Sequence, residues 1–396
     1  MIARTVRLDA GVDLLAIAGA DGYLFEEHGA GLAGRGVAAR LSLDEAPDAL
    51  AAIHTEDEVG LPGCGPVAFG ALPFSRAKPG EVVVPALVVG RTADGTRWVT
   101  TIGPLGAPTP QLEVANPTPR AGWAADARVT STRPPSDWQR AVATARDRIR
   151  AGALDKVVLA RELVVEMSEP IDVVGVLARL RGTFPSSFVY SVDGLIGASP
   201  ELLVSRAGDV VRSHPLAGTA PRSGDPVVDA RIASALVAST KDQLEHRLTI
   251  DMVHDTLLPW CSYLDEEAEP SIVAVANVQH LGTLVEGRLS KPLPSVLDLV
   301  RALHPTPAVG GHPRDVAIAM IDELEQLDRG RYAGPVGWMD AAGNGRWAVA
   351  LRCAEIEGAT ARLYAGVGVV RDSDEDAELA ETQAKLAAML GALSRP

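Results

Sequence analysis

Short apolar runs punctuated by Gly, Asp and Pro recur along the chain, and helical patterns fall between them in no strict one-strand, one-helix order. That order limits the fold more than any other feature. A doubly wound parallel sheet needs a crossover, usually a helix, between successive strands. Strands that follow one another through tight turns predict instead an α+β architecture with an extensive antiparallel β-sheet flanked by helices. "EVVVPALVVGRTADGTRWVTTIG" reads as two strands joined by a turn at Asp94-Gly95. "SFVYSVDGLIGASPELLVSRAGDVVRSHPLAG" reads as several short strands with turns at Asp193-Gly194 and Gly208-Asp209. "GRWAVALRCAEIE" and "ARLYAGVGVV" read as a pair of strands.

The helical signals are local. Ser136 with Gln139 has capping-box spacing, Trp138, Val142, Ala145 and Ile149 follow on one face, and Gly152 ends the helix. Asp172 is placed to cap a second helix carrying Val176, Leu177 and Leu180. Asp225-Pro226 opens a helical region reaching about Leu258, and "PSVLDLVRAL", "HPRDVAIAMIDELEQL" and "DEDAELAETQAKLAAML" are further helices. Seven prolines between Pro104 and Pro135 mark a loop and the best candidate boundary, dividing residues 1–130 from residues 135–393.

The 396 residues are 47% hydrophobic and 22% charged, enough to bury a sizeable core. A net charge of −14 argues against nucleic acid and against anionic membranes as partners. Cys64, Cys261 and Cys353 are odd in number and widely spaced, so reduced thiols are expected rather than a disulfide framework or a zinc site. Asp9 and Asp13 interrupt the N-terminal apolar pattern, and no run approaches the roughly 18 apolar residues of a membrane span. The expectation is a soluble, cytoplasmic protein.

Several residues stand against their surroundings. Lys156, in "ALDKVVLARELVV", lies in a run of Val and Leu that predicts a buried strand, where desolvation disfavours the ammonium and would suit a base. Asp242 and Glu245, and again Glu378 and Glu381, are acid pairs three residues apart on helices, so each pair shares a face. Two such helices meeting would offer a carboxylate cluster for Mg²⁺, although an acidic solvated face is the commoner meaning of either pair alone. Lys385, four residues after Glu381, has a surface ion pair as its plain explanation. Glu201, at a strand start beside two leucines, could be kept protonated by burial and serve as an acid. Arg352 sits in an apolar strand pattern and needs an anion if buried. Gly218 reads as a turn glycine, Gly366 and Gly368 interrupt a strand pattern, and His280 reads as a core histidine.

The segments "KVVLAR", "GASPELL", "PLAGTAPR", "KDQLEH", "VQHLGT", "LHPTPAVGG", "RYAGPVGW", "ALRCAEI", "AGVGVV" and "ELAETQAKL" occur in the order found in the chorismate-utilising enzymes. Over residues 135–393 the chain resembles that family of isochorismate, salicylate, anthranilate and aminodeoxychorismate synthases. The resemblance implies a single large intertwined domain, with residues 1–130 as a variable part that completes the sheet. It implies chorismate as substrate and Mg²⁺ as cofactor. Glu245 and Glu381 would bind the metal, and Asp242 and Glu378 would hold its waters. Tyr332, Arg352, Gly366, Gly368 and Lys385 would contact the carboxylates or their surroundings, and Gly218, Thr219 and His280 would line the ring. Lys156 stands where water-using members carry their base, with Glu201 as the acid. Ala217 stands where aminodeoxychorismate synthases carry a nucleophilic lysine. Water addition giving isochorismate is therefore implied, with a salicylate synthase, which goes on to eliminate pyruvate, as the alternative. Ammonia-using synthases are less favoured, and so is a protein that binds without catalysing. No glutamine amidotransferase subunit is expected, and a monomer is.

Overall fold

A computed structural model of the chain describes residues 1–104 and 127–394. Two large sheets dominate it. The first runs from Ala127–Ser131 through Lys156–Met167, Thr360–Val369, Cys353–Glu357, Leu195–Ser199 and Phe188–Val192, then on to Tyr23–Glu27, Ala30–Arg35, Leu87–Arg91, Arg97–Gly103, Ile2–Arg7 and His54–Asp57. The second runs from Cys261–Glu266 through Val285–Leu289, Val210–His214, Leu202–Ala207, Gly345–Val349 and Pro335–Asp340 to Val67–Ala71, Glu81–Val84 and Ala39–Ser42. A small third sheet joins Leu216–Pro221, Val278–Gly282 and Ser271–Ala274. Among the described residues the one parallel pairing is Ile2–Arg7 with His54–Asp57.

N-terminal strands enter both large sheets. Tyr23–Glu27 pairs with Phe188–Val192, and Val67–Ala71 pairs with Pro335–Asp340. The halves thus share backbone ladders as well as a core. Phe25, Phe69, Trp98, Phe188, Tyr190, Trp338 and Trp347 fill one continuous cluster. A second cluster holds Leu14, Ile17, Leu177, Leu180, Leu386, Met389 and Leu393 from the helices Leu14–Ala18, Val173–Thr183 and Glu375–Ser394. Most of the proline-rich boundary expected over 104–135 lies outside the described residues.

Several local expectations change. "EVVVPALVVGRTADGTRWVTTIG" forms three strands rather than two, because Pro85-Ala86 carries the chain from one large sheet to the other; only Leu87–Arg91 and Arg97–Gly103 make the hairpin around Asp94-Gly95. "GRWAVALRCAEIE" likewise divides. Gly345–Val349 belongs to the second sheet, and Cys353–Glu357 to the first, where it pairs with Thr360–Val369. Arg352 is therefore not inside a strand. It sits at the crossing, with φ of 48°, a left-handed backbone that costs a non-glycine residue on the order of 1 kcal/mol. Gly218 is not a turn glycine either; it lies inside Leu216–Pro221, where the register shifts between Ala217 and Thr219. The helix Pro135–Arg150 has no capping box: Pro134 is its N-cap and Gln139 reaches Asp376 instead. Two adjacent prolines already set the entry angle and remove a donor that would need a cap. The region opened by Asp225 is two helices, Pro226–Ala238 and Thr240–Leu257, broken at Ser239, whose hydroxyl caps the second.

A buried ion pair fixes the strand that carries Lys156. Arg329 and Glu325 are 3% and 2% exposed and meet through two contacts of 2.7 and 2.8 Å. Glu325 accepts the Ala160 amide at 2.8 Å. Arg329 donates to the Val158 carbonyl at 2.8 Å and to the Val309 carbonyl at 2.7 Å. One pair thereby ties the strand Lys156–Met167 to the loop before Gly311–His312, which also pairs with Lys156 and Val157. Removing one member of such a pair leaves the other charge buried alone. Arg329→Met is expected to destabilise the protein by about 3–5 kcal/mol in urea unfolding, and Glu325→Leu combined with it to recover part of that loss.

Candidate active site

The residues singled out in the sequence converge on one cavity of about 110 Å³. Lys156, Glu201, Gly218, Thr219, Asp242, Glu245, His280, Tyr332, Arg352, Gly366, Gly368, Glu378, Glu381 and Lys385 all line it. They come from strands of the first large sheet and of the small sheet, from two helices, and from the connecting segments that carry Glu201, Tyr332 and Arg352, so their meeting is a product of the tertiary fold.

Lys156, first residue of its strand, is 1% exposed, and its Nζ lies 2.8 Å from Glu245 Oε1. Burial opposes ionisation of Glu245, but the Lys156 ammonium outweighs it and holds the carboxyl below its ordinary range. Two glycines make the approach possible. A Cβ on Gly368 would sit 2.7 Å from Glu245 Oε1 and 2.8 Å from Lys156 Cε, and one on Gly366 would sit 3.0 Å from the Tyr332 hydroxyl. Tyr332 is itself buried and stacked on Tyr364, with ring centroids 5.2 Å apart.

Glu201 precedes the strand Leu202–Ala207 and is 3% exposed. Desolvation pushes its carboxyl up to about 8; a hydrogen bond from the Leu216 amide and the charges of Lys156 and Arg352 only partly offset this. It therefore carries a proton at neutral pH. Arg352, 7% exposed, approaches His280 Nε2 through Nη2 at 3.3 Å, while its buried Nε has no partner among the described residues. His280 is more than the core histidine expected. Desolvation first, then Arg352 and Lys385, push it well below its usual value, so it is neutral. Its Nδ1 faces Thr219 Oγ1 at 3.1 Å and the Gly218 carbonyl at 3.3 Å, which places the ring proton there and leaves Nε2 to accept from Arg352. A buried guanidinium with a spare donor is suited to an anion.

The acid pairs of Thr240–Leu257 and Glu375–Ser394 line one end of the cavity. Lys385 pairs with Glu381 at 2.6 Å and donates to the Gly366 carbonyl at 3.0 Å, so it is not the surface partner that its spacing implied. Glu378 is pushed up to about 7, by burial first and by Glu381 second. Among the described residues no three His, Cys, Asp or Glu side chains are grouped closely enough to hold a metal ion as they stand. The donor set nevertheless fits a hard divalent cation, because Mg²⁺ takes only one or two carboxylates directly and keeps its waters. Burial and the neighbouring Glu381 charge both raise the Glu378 carboxyl, and a bound cation would offset them. Sequence reasoning missed Lys241, Ala308, Val309 and Leu351 on the cavity wall. Lys241 sits beside the "DQLE" acids, yet a lysine opening a helix reads as surface.

A family model described as "Chorismate binding enzyme" matches residues 107–394. The chain belongs to the chorismate-binding enzyme family. The isochorismate synthase DhbC of Bacillus subtilis is 40% identical over 339 residues, covering 83% of this chain and 81% of that one. The isochorismate synthase MenF of the same organism is 36% identical over 365 residues, covering 86% of this chain and 77% of that one. Among solved structures, MenF, the menaquinone-specific isochorismate synthase of Escherichia coli, superposes with a TM-score of 0.84 at 25% identity, covering 99% of this chain and 95% of that one. The family match starts near residue 107, yet earlier strands are hydrogen-bonded into both large sheets of this family member.

The glycine at 368 gives a direct test of the crowding around Lys156. Gly368→Ala is expected to displace the Lys156 and Glu245 side-chain ends and lower kcat by about 100-fold, a loss typical of a misplacement near 1 Å. Both displaced atoms are ends of flexible chains, so circular dichroism and the thermal midpoint should stay close to wild type.

Proposed function

We propose that this protein is an isochorismate synthase, an isomerase that interconverts chorismate and isochorismate with Mg²⁺. The observation that carries the reading is a lysine and a protonated glutamic acid lining one cavity whose other groups are cations and an acid cluster. The names of its relatives support the same reaction.

In this reading Arg352, with its spare Nε, and Lys385 hold carboxylates of chorismate, and Tyr332, Gly366 and Gly368 shape the wall around them. Gly218, Thr219 and His280 line the ring. Glu245 and Glu381 would bind Mg²⁺ directly, with Asp242 and Glu378 on its waters; the metal would neutralise a substrate carboxylate and favour departure of the allylic hydroxyl. Lys156, in its free-amine form, takes a proton from water as its oxygen forms a bond to C2. The ring double bond shifts, the C4–O bond breaks, and Glu201 supplies the proton with which the hydroxyl leaves as water. One water enters and one departs, so product and substrate are isomers. Lys156 and Glu201 exchange roles in reverse. Glu245 touches Lys156, so a cation that binds Glu245 competes for it. No ammonia donor enters this scheme, and no glutamine amidotransferase partner is needed. No helix among the described residues is long and apolar enough to cross a membrane.

Chromatography of chorismate incubated with the protein and Mg²⁺ is expected to show isochorismate as the end product, with Lys156→Ala and Glu201→Gln inactive but folded. Salicylate with equimolar pyruvate would transfer the chain to the salicylate synthases, and unchanged chorismate would sink the enzyme reading. The pH dependence has a definite sign. Glu201 keeps its proton below about 8 and loses it above. An acid that must donate therefore fails on the alkaline side, and kcat/KM should fall as pH rises through about 8. A rate flat to pH 10 would remove Glu201 from that role.

A further inference from the structure

The cavity that holds the site is not sealed at its carboxylate end. A second cavity of about 670 Å³ adjoins it, and Lys241 and Glu245 line both. Arg150 and Arg371 stand on the wall of the outer cavity, with Asp155 and Asp372 as the opposing charges. The inner cations are occupied or deep: Lys156 pairs with Glu245, Lys385 pairs with Glu381, and Arg352 is 7% exposed. Lys241 is different. It is exposed, and no carboxylate among the described residues lies within ion-pair distance of it. It is also the second residue of the helix Thr240–Leu257, where the amide dipoles disfavour a cation. Its charge acts on Glu245 and Glu378 from the junction of the two cavities.

A dicarboxylate approaching this chain meets a net charge of −14 and an acid cluster at the end of its site. A cation at the threshold offsets that repulsion, and fields in clefts raise association rates by about 10–1,000-fold. We propose that the outer cavity is the entrance to the site and that Lys241 is its receiving cation. Lys241 pairs with one carboxylate of the incoming dianion and passes it to Arg352 and Lys385, which lie deeper. The inference rests on the dicarboxylate substrate proposed above. Lys241 acts on capture, not on bond making, so it separates KM from kcat. It also repels a divalent cation approaching the same acids, which gives its removal an opposite effect on metal binding.

The test uses the full chain with Mg²⁺ and compares wild type, Lys241→Gln and Lys241→Arg. For Lys241→Gln, kcat/KM at low ionic strength is expected to fall about 10-fold, the lower end of steering effects, with kcat within about twofold of wild type. The decline of kcat/KM with added salt should flatten in that variant, because screening acts on the charge that was removed. Lys241→Arg should restore both the value and the salt dependence. Calorimetric titration with Mg²⁺ alone should show tighter binding in Lys241→Gln. A wild-type salt dependence and KM in Lys241→Gln, a loss of kcat at unchanged KM, or weaker Mg²⁺ binding would each overturn the assignment. Chorismate left unconverted by wild type would instead overturn the substrate reading, which keeps the two failures distinct.

Discussion

The contact between Arg329 and Glu325 holds more of this protein in place than its size implies. Both side chains are buried, and all their hydrogen bonds named above go to each other or to backbone of the strand and loop around Lys156. Desolvating two charges is costly, and a well-packed apolar pair is often as stable. Its value here is geometric. It sets the distance between Val158 and Val309, which line the cavity from two separate segments. Arg329 also lies over the Phe74 ring at 4.2 Å, bringing an N-terminal segment under the same constraint.

The cavity is a near-balanced set of charges. Lys156 answers Glu245, Lys385 answers Glu381, and neutral His280 takes a hydrogen bond from Arg352. What is left over defines what the site can receive. Arg352 Nε has no acceptor among the described residues, and Asp242 and Glu378 add to the acid cluster beyond the two lysine-paired glutamates. An anion at one end and a divalent cation at the other would complete it. Burial raises the Glu201 carboxyl to about 8, which favours its neutral form. The same burial weakens the fold at high pH, since a carboxyl whose proton is held more tightly when folded loses that stability as pH rises through about 8.

Much of the candidate site was legible because its residues violate local rules: a lysine in a valine-rich strand, an arginine among alanines and leucines, glycines inside a strand, and acids three apart on helices. Such residues announce themselves against an apolar background. Lys241 did not, because a charged residue on a helix start looks like solvent-facing decoration until the cavities on either side of it are known. Arg352 was placed in a strand because the residues on either side of it, from Trp347 to Ala354, are apolar; pattern alone does not show that the chain changes sheets between Val349 and Cys353. The missed division at Pro85 has the same origin. The capping box at Ser136 failed because two prolines before it had already done the work of a cap.

By itself the sequence determined the strand and helix types, the antiparallel preference and which residues stand out as candidates for the cavity, since these follow from local periodicity, turn residues and the cost of burying charge. The tertiary structure alone decided that there are two large sheets, that N-terminal strands enter both, and that Lys156 faces Glu245 across a space kept open by Gly368. Those outcomes depend on contacts between residues tens to hundreds of positions apart. No local pattern encodes such distances, because each strand is equally able to pair with several neighbours until the core selects one arrangement.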